Sequence, residues 1–219
     1  MMFILVVCSA LLMAGAALKC EVCYAMNANG CSGKSELCQS PESRCMMTLT
    51  ETSLKDGEEM KSSILEKACG SVYDCIHPAT LTTNEYRVSV TTKCCNEDSC
   101  NNGTMDFSGK PLSSTYNGMN CPSCFAKNSQ TCDVETHVNC TGDEKYCVEY
   151  SVSREGGATI TVAGCASESM EKSHGVTAFR GSRVTIRDLK NGNSGKSLRY
   201  NPILPPFLAM LTILSKYSQ

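Results

Sequence analysis

Seventeen cysteines are the residues of this 219-residue chain that could carry the most chemistry. A thiolate can attack a substrate, bind a metal ion or form a disulfide with a second cysteine. Cys20-x2-Cys23 and Cys121-x2-Cys124 have the two-residue spacing of zinc ligands, so a metal site is one interpretation. A disulfide framework is the other, and the redox compartment of the chain decides between them.

The cysteines form two spaced sets that repeat along the chain. The gaps between the first six members are 2, 7, 6, 6 and 23 residues in one set and 2, 7, 7, 6 and 17 in the other. Only one of these five gaps differs by more than one residue, which indicates a duplicated module. The ten members of the first set are Cys20, Cys23, Cys31, Cys38, Cys45, Cys69, Cys75, Cys94, Cys95 and Cys100, and the six of the second are Cys121, Cys124, Cys132, Cys140, Cys147 and Cys165.

The first seventeen residues indicate an oxidising compartment. They are almost wholly apolar, are too short to span a bilayer comfortably and end in small residues. This predicts a signal peptide over residues 1–17, although no Lys or Arg precedes its apolar part; a buried N-terminal helix is the alternative. Cleavage near Ala17 removes Cys8 and leaves ten plus six cysteines. Even numbers in a secreted protein favour disulfides over zinc.

The remaining residues give no pattern for catalysis or cofactor binding. His77, His137 and His174 lie in different loops, and none belongs to a Ser-His-Asp or Cys-His motif once the cysteines are in disulfides. Gly156-Gly157 lacks the strand and helix that flank a phosphate-binding loop. A net charge of -2 disfavours nucleic acid as a partner. We therefore expect no enzyme activity, no cofactor and no metal.

Strand patterns fill the gaps between the cysteines. Residues 147–153 alternate apolar and polar side chains and return after a Gly-Gly turn as residues 158–162, which predicts a hairpin. Asp56-Gly57 marks the turn of another hairpin, between residues 46–54 and 60–67. Each module is too small for a hydrophobic core to suffice alone. The pattern predicts all-β modules whose loops extend from a knot of disulfides.

The end of the first module carries a family resemblance. Cys20-x2-Cys23 and above all the closing Cys94-Cys95-Asn-Glu-Asp-Ser-Cys100-Asn101 resemble the lymphocyte-antigen-6/urokinase-receptor (uPAR) family. Two tandem modules, with ten cysteines in the first, are most similar to the gamma-type inhibitors of secreted phospholipase A2. The resemblance implies an all-β fold of two tandem, disulfide-rich, three-finger (snake-toxin-like) domains, the second lacking its last disulfides.

The resemblance also implies a disulfide pairing. In the second module, aligning residues 183–186 with 87–90 puts Glu171, Lys190 and Asn191 at the places of Cys75, Cys94 and Cys95. Paired loss favours genuine divergence over a corrupted sequence, and we expect a looser third finger there because its loop closure is not restrained. The implied pairs are Cys20–Cys45, Cys23–Cys31, Cys38–Cys69, Cys75–Cys94, Cys95–Cys100, Cys121–Cys147, Cys124–Cys132 and Cys140–Cys165.

Composition divides the chain into five parts. After the signal peptide we expect a first three-finger domain at 18–102, a linker at 103–119, a divergent second domain at 120–192 and a tail at 193–219. The linker is rich in Asn, Gly and Ser, so the two modules would sit at a variable angle unless they pack.

Two kinds of modification are predicted. Sequons at Asn102 and Asn139 are candidates for N-glycans, although Cys140 in the second sequon makes its occupancy uncertain. Asn193-Ser194-Gly195, a short polar spacer and an apolar tail have the order of a glycosylphosphatidylinositol (GPI) attachment signal, with Asn193 as the anchor site. Two prolines and a short spacer leave a peripheral tail as the alternative.

The resemblance implies recognition of another protein and no catalysis. Our first hypothesis is an extracellular protein, secreted or GPI-anchored at the outer cell surface, that inhibits a secreted phospholipase A2. A GPI-anchored receptor or adhesion protein resembling the urokinase receptor is the second. Candidate contacts lie at two predicted hairpin tips, which are otherwise ordinary solvated turns: Glu51, Lys55, Glu58, Glu59, Arg154 and Glu155.

Overall fold

The computed structural model describes residues 17–40, 43–75, 78–105, 113–133, 135–153, 158–173, 175, 178–179 and 182–188. Within these ranges the protein is built almost entirely of strands, so the all-β prediction is confirmed. No helix of the described residues is long and apolar enough to cross a membrane. The elements are β1 Lys19–Met26, β2 Lys34–Leu37, β3 Ser43–Asp56, β4 Glu58–Ser71, a 3₁₀ turn Val72–Asp74, β5 Ala79–Thr82, β6 Tyr86–Cys95, β7 Tyr116–Lys127, β8 Thr136–Thr141, β9 Glu144–Ser153, β10 Thr159–Ser167, α1 Glu168–Lys172 and β11 Arg183–Asp188.

The described strands form one sheet that runs through both modules. Its order is β11-β9-β10-β5-β6-β3-β4-β1-β2, and β7 pairs with β10 and β8 beside this path. All the pairings are antiparallel, as expected for successive hairpins. In the first module β1–β2, β3–β4 and β5–β6 are the three fingers. The longest is β3–β4, which turns at Gly57 with φ of 82°, as the Asp-Gly dipeptide predicts.

The described cysteines are all joined in eight disulfides, each within one module. Their Cα–Cα distances range from 5.2 to 6.1 Å, and the pairs are the eight that the resemblance implies. The sulfurs of Cys20, Cys38 and Cys69 lie within 4.8 Å of one another, as do those of Cys121, Cys140 and Cys165. Such clusters could hold a metal, but every sulfur in them is already bonded to another sulfur. Disulfides therefore account for the cysteine spacing.

Asn101 closes the hub of the first module. Its side chain is 2% exposed, and its Nδ2 donates to the carbonyl oxygens of Glu21 at 2.8 Å and Met46 at 3.0 Å. Its Oδ1 accepts a hydrogen bond from the backbone N–H of Glu21 at 2.9 Å. One amide therefore satisfies backbone groups of β1 and β3, which explains why an asparagine follows the closing cysteine.

Apolar packing replaces the missing disulfides of the second module. After β10 the chain forms α1, whose Met170 is fully buried, whereas after β4 it forms the turn that leads to Cys75. The Tyr150 hydroxyl donates to the Met170 carbonyl at 3.1 Å, and its ring meets Phe179 edge-on at 6.4 Å. Burial raises the pKa of Tyr150, which keeps this hydroxyl a donor. Met170, Phe179 and Val184 of this region therefore belong to a buried core, and the looser third finger stays a prediction.

The two modules share that core. β5 of the first module pairs with β10 of the second, with Thr82 opposite Cys165 and Leu81 opposite Ala166. The modules therefore pack against each other, whereas the linker composition alone allowed a variable angle between them. β7 begins at Tyr116, inside the segment predicted as a linker. The buried side chains of this common cluster are Ala79, Leu81, Val88 and Val90 from the first module, and Val148, Tyr150, Val152, Val162, Ala166, Met170, Phe179 and Val184 from the second.

Polar contacts fix the register of this junction. The Thr82 hydroxyl donates to the buried Glu144 carboxylate at 2.6 Å, and the Thr80 N–H donates to the Ser167 hydroxyl at 3.0 Å. Asn84, in the turn between β5 and β6, donates through Nδ2 to the His137 carbonyl at 3.2 Å. Because these groups would lose partners if the modules separated, the junction is specific as well as apolar.

Gly164 permits the close approach of the two modules. A Cβ at this position would overlap the carbonyl oxygen of Thr82 and lie 3.2 Å from Cγ2 of Thr83. The residue before the corresponding cysteine of the first module is Ala68 in β4, and no described strand of the second module pairs with β4. The difference between glycine and alanine at equivalent positions therefore marks the junction.

We predict that Gly164→Ala lowers the free energy of unfolding by about 1–3 kcal/mol, because β5 must move away from β10. The matched change Ala68→Gly should cost about 0.5–1 kcal/mol through backbone entropy alone and leave the junction intact. Denaturant unfolding measures both, and small-angle scattering should show a larger radius of gyration for Gly164→Ala only. Equal dimensions for the two variants would show that the junction does not depend on Gly164.

A buried ion pair joins β4 to the first finger. The Lys67 side chain is 1% exposed, and its Nζ lies 2.6 Å from Oε2 of Glu21 and 2.9 Å from the Cys31 carbonyl oxygen. The hydrogen bond from Lys67 holds the pKa of Glu21 below its usual range. This contribution to stability is complete above the ordinary carboxyl pKa of about 4.3 and is lost as the pH falls through the lowered folded value.

We predict that Lys67→Met costs about 3 kcal/mol at pH 7, because it leaves the Glu21 carboxylate without its cation. The exposed pair Lys61–Glu59, 3.2 Å apart, is the control, and Lys61→Met should have a much smaller effect on stability, because solvent screens this pair. Denaturant unfolding at pH 7 and pH 3 should show that the wild type and Lys67→Met differ less in stability at pH 3 than at pH 7. An equal penalty at both pH values would contradict the role of the Glu21 charge.

Candidate functional site

The second finger of the first module changes character along one face. Near the hub this face is apolar, where Met47 and Leu49 of β3 and Leu65 of β4 pack with Met105. Two residues further along each strand, the same face becomes polar, because alternate residues of a strand share a face. This boundary places a hydrophilic surface directly above a small closed core.

The polar part of the face forms a groove of about 460 Å³. Strand register sets its floor in two rows, Ser63–Glu51–Ser89 and Lys61–Ser53–Arg87, each running across β4, β3 and β6. Asn27, at the end of the first finger, forms a wall. Its N–H donates to the Ser63 carbonyl at 2.8 Å and its Oδ1 accepts from the Ser63 N–H at 2.9 Å.

The two acidic side chains of the groove are engaged by neighbours. Glu59 accepts a hydrogen bond from the Ser53 hydroxyl at 2.8 Å and pairs with Lys61 at 3.2 Å. The Ser53 hydrogen bond and then the Lys61 contact hold the pKa of Glu59 below its usual range. Glu51 accepts a weaker hydrogen bond from the Ser89 hydroxyl at 3.5 Å. Both acids are therefore held in place by side chains of the groove itself.

Arg87 differs from the other charged residues of the groove. Its Nε is buried and has no hydrogen-bond partner in the described part of the chain. The residue also lines a second cavity of about 100 Å³ between the modules, together with Thr80, Asp143 and Glu144. Arg87 thus stands where the groove of the first module meets the junction with the second.

The structure describes four of the six predicted contact residues, and all four lie on the second finger. Glu51 and Glu59 line the groove, and Lys55 and Glu58 are exposed beside it at the tip of the finger. Arg154 and Glu155 lie outside the described residues. The sequence shows polar residues alternating along each strand, but the proximity of the other groove residues depends on strand register and has no local signal. These residues are Asn27, Thr52, Ser53, Lys61, Ser62, Ser63, Arg87 and Ser89.

The other predicted sites within the described ranges are separate from the groove. Asn102, just after the hub, is exposed, and so is Asn139 in β8, whose Oδ1 accepts a hydrogen bond from Asn120 at 2.8 Å. His137 is exposed on the same strand. His77, His174, the signal peptide apart from Ala17, and the tail with Asn193 lie outside the described residues.

The geometry of the groove suits contact with another molecule. It is open, lined by hydroxyl, amide and charged groups, and built on three paired strands next to a covalently closed hub. Sites on strands are held more precisely than sites on loops. The described cysteines are all in disulfides, so none of them offers a thiolate nucleophile.

Three known proteins are similar to this chain. The phospholipase A2 inhibitor PIP of Malayopython reticulatus is 29% identical over 163 residues, which cover 70% of this chain and 75% of that protein. Protein RoBo-1 of Rattus norvegicus is 29% identical over 122 residues, covering 55% of this chain and 48% of that protein. The crystal structure of mouse TEX101 matches with a TM-score of 0.35 and 20% identity, over 77% of this chain and 97% of that one.

The model of one protein family matches both modules. The u-PAR/Ly-6 domain matches residues 16–103 and again residues 117–189, which together make up most of the chain. The predicted pair of tandem three-finger domains is thereby confirmed, as is the absence of the last disulfides from the second. This chain belongs to the u-PAR/Ly-6 domain family.

Proposed function

We propose that this chain is an extracellular recognition protein without catalytic activity, and that its partner is a secreted phospholipase A2, which it inhibits. The observation that carries the proposal is the match to the phospholipase A2 inhibitor PIP, which spans 70% of this chain. Members of the u-PAR/Ly-6 family bind protein partners outside the cell, and the match of both modules to that family supports the broader part of the proposal.

The fused modules suit inhibition by occupation. An inhibitor need only cover the active-site or membrane-docking face of its target, and a specific protein interface buries about 800 Å² on each partner. Because β5 pairs with β10 and the core is common, the two modules form one surface with little orientational freedom left to lose. Less ordering on binding leaves more of the contact energy as affinity.

The tip of the second finger is the proposed first point of contact. Glu51 and Glu59 line its groove, and Lys55 and Glu58 project beside it. Arg154 and Glu155, which stand between β9 and β10 in the sequence, are the proposed contacts from the second module. A signal peptide over residues 1–17 and glycans on Asn102 and Asn139 complete the proposal of a secreted glycoprotein.

We predict that the mature protein slows at least one member of a panel of secreted phospholipases A2 at stoichiometric concentration and hydrolyses no lipid itself. Inhibition should fall at least tenfold in Lys55→Ala/Glu58→Ala, because both side chains lie at the proposed contact. Lys172→Ala is the control, since this exposed residue lies on α1 of the second module and pairs with Glu168 there. Neither inhibition nor binding across the panel would overturn the phospholipase assignment.

The sequence of the tail supports a second candidate, a GPI-anchored receptor or adhesion protein. Three small residues from Asn193 onward, a polar spacer and an apolar stretch have the order of an attachment signal. An anchored protein would meet its partner at the cell surface and would not need to leave the membrane to act.

We predict that the chain expressed on animal cells is released by phosphatidylinositol-specific phospholipase C and ends near Asn193. Asn193→Trp should lower the surface amount severalfold, because the attachment site requires a small residue. Asn201→Gln, in the spacer, should leave the surface amount unchanged. A secreted product that retains Gln219 would eliminate the anchored form and favour the soluble inhibitor.

A further inference from the structure

We propose that Arg87 binds a carboxylate side chain of a protein partner, as the anchor of the groove in the second finger. The inference deepens the proposed role in protein recognition, but it does not depend on a phospholipase being the partner. It assigns the groove a ligand chemistry: an Asp or Glu on an exposed segment that enters between the tips of the first and second fingers.

The first argument is the unmet hydrogen-bonding capacity of Arg87. Its Nε is shielded from water and has no acceptor within the described ranges of the chain. Buried donors are nearly always paired, with protein groups or with water, so Arg87 keeps hydrogen-bonding capacity that an acceptor entering the groove can meet. A guanidinium offers five N–H groups in a planar fork, and a carboxylate matches that fork with two parallel hydrogen bonds.

The second argument is the charge balance of the groove. Glu59 is engaged by Lys61 and Ser53, and Glu51 by Ser89, so these groups already have partners. None of the ion pairs between described side chains involves Arg87. Glu51 and Glu59 in the same groove repel a doubly charged anion such as phosphate more strongly than a singly charged one. A single carboxylate therefore suits the one unengaged guanidinium better than phosphate does.

The third argument is the rigidity of the position. Arg87 lies on β6, which is paired with β3 on one side and with β5 on the other. β5 is in turn paired with β10 of the second module. The guanidinium thus projects from a strand that is fixed on both edges, and a pre-positioned group loses less entropy when it binds.

The duplicated module supplies a matched control. Arg183 on β11 pairs with Ser153 of β9, as Arg87 on β6 pairs with Ser53 of β3. Arg183 is exposed, and it does not line the groove. The two arginines occupy equivalent places in the repeat. A change at Arg183 therefore shows the effect of losing one positive charge outside the groove.

The test uses the full chain, purified from animal cells, and a phage-displayed library of random linear peptides. We expect enriched peptides to share one Asp or Glu. Replacing that residue by Asn or Gln should weaken binding to the wild-type protein about tenfold or more. The same replacement should have no effect on binding to Arg87→Gln, because the two changes remove one interaction. Arg183→Gln should behave as the wild type.

Two further measurements keep the proposal testable if Arg87→Gln folds poorly. Arg87→Lys retains the charge but loses the fork, so binding should be intermediate. In the ¹⁵N-labelled wild-type protein, the Nε–Hε signal of Arg87 should shift when the acidic peptide is added and should not shift with its amide counterpart. A peptide set without a common acid, no enriched peptide at all, or an acid whose replacement matters equally in Arg87→Gln would overturn the proposal.

The outcomes separate this inference from the phospholipase assignment. If the acid of the enriched peptides matters for binding to the wild type but not to Arg87→Gln, and no phospholipase is inhibited, the carboxylate site is supported and the phospholipase is removed as the partner. Full inhibition by Arg87→Gln, together with an acid-independent peptide set, would retain the inhibitor and remove the site.

Discussion

The disulfide hub is the constraint on which the rest of this structure depends. Each module has fewer than about 100 residues, a size at which burial of apolar surface gives little net stability. Five disulfides in the first module and three in the second lower the conformational entropy of the unfolded chain, and they fix where each finger begins. With the hub closed and Asn101 satisfying the backbone around it, the outer parts of the strands are free to carry polar residues.

The two modules solve the stability problem in different ways. The first joins its third finger to the hub with Cys75–Cys94 and Cys95–Cys100. The second has no cysteines there and instead packs Met170 and Phe179 around Tyr150. That core extends into β5 and β6 of the first module, so the module with fewer disulfides is stabilised by its neighbour. This dependence explains why the junction is tight enough to require Gly164.

The same junction shapes the candidate site. Because β5 and β6 are fixed against the second module, Arg87 is held at the edge of a groove whose other charges are already engaged. The groove lies next to the apolar cluster of Met47, Leu49, Leu65 and Met105, so its floor rests on packed side chains. Recognition at this surface would draw on the rigidity of both modules, although its described lining comes from the first.

The sequence by itself determined the duplicated module, the all-β fold and the hairpin at Asp56-Gly57, because cysteine spacing, strand alternation and turn dipeptides are local signals. It also named Glu51 and Glu59, which line the groove, although Glu51 lies within β3 and not at the tip of the finger. Only the tertiary structure decided that Arg87 lies in the row of Ser53 and Lys61, that β5 pairs with β10, and that an apolar core replaces the absent disulfides. Those relations join residues distant in the chain, and strand register and inter-module packing have no local signature in one sequence.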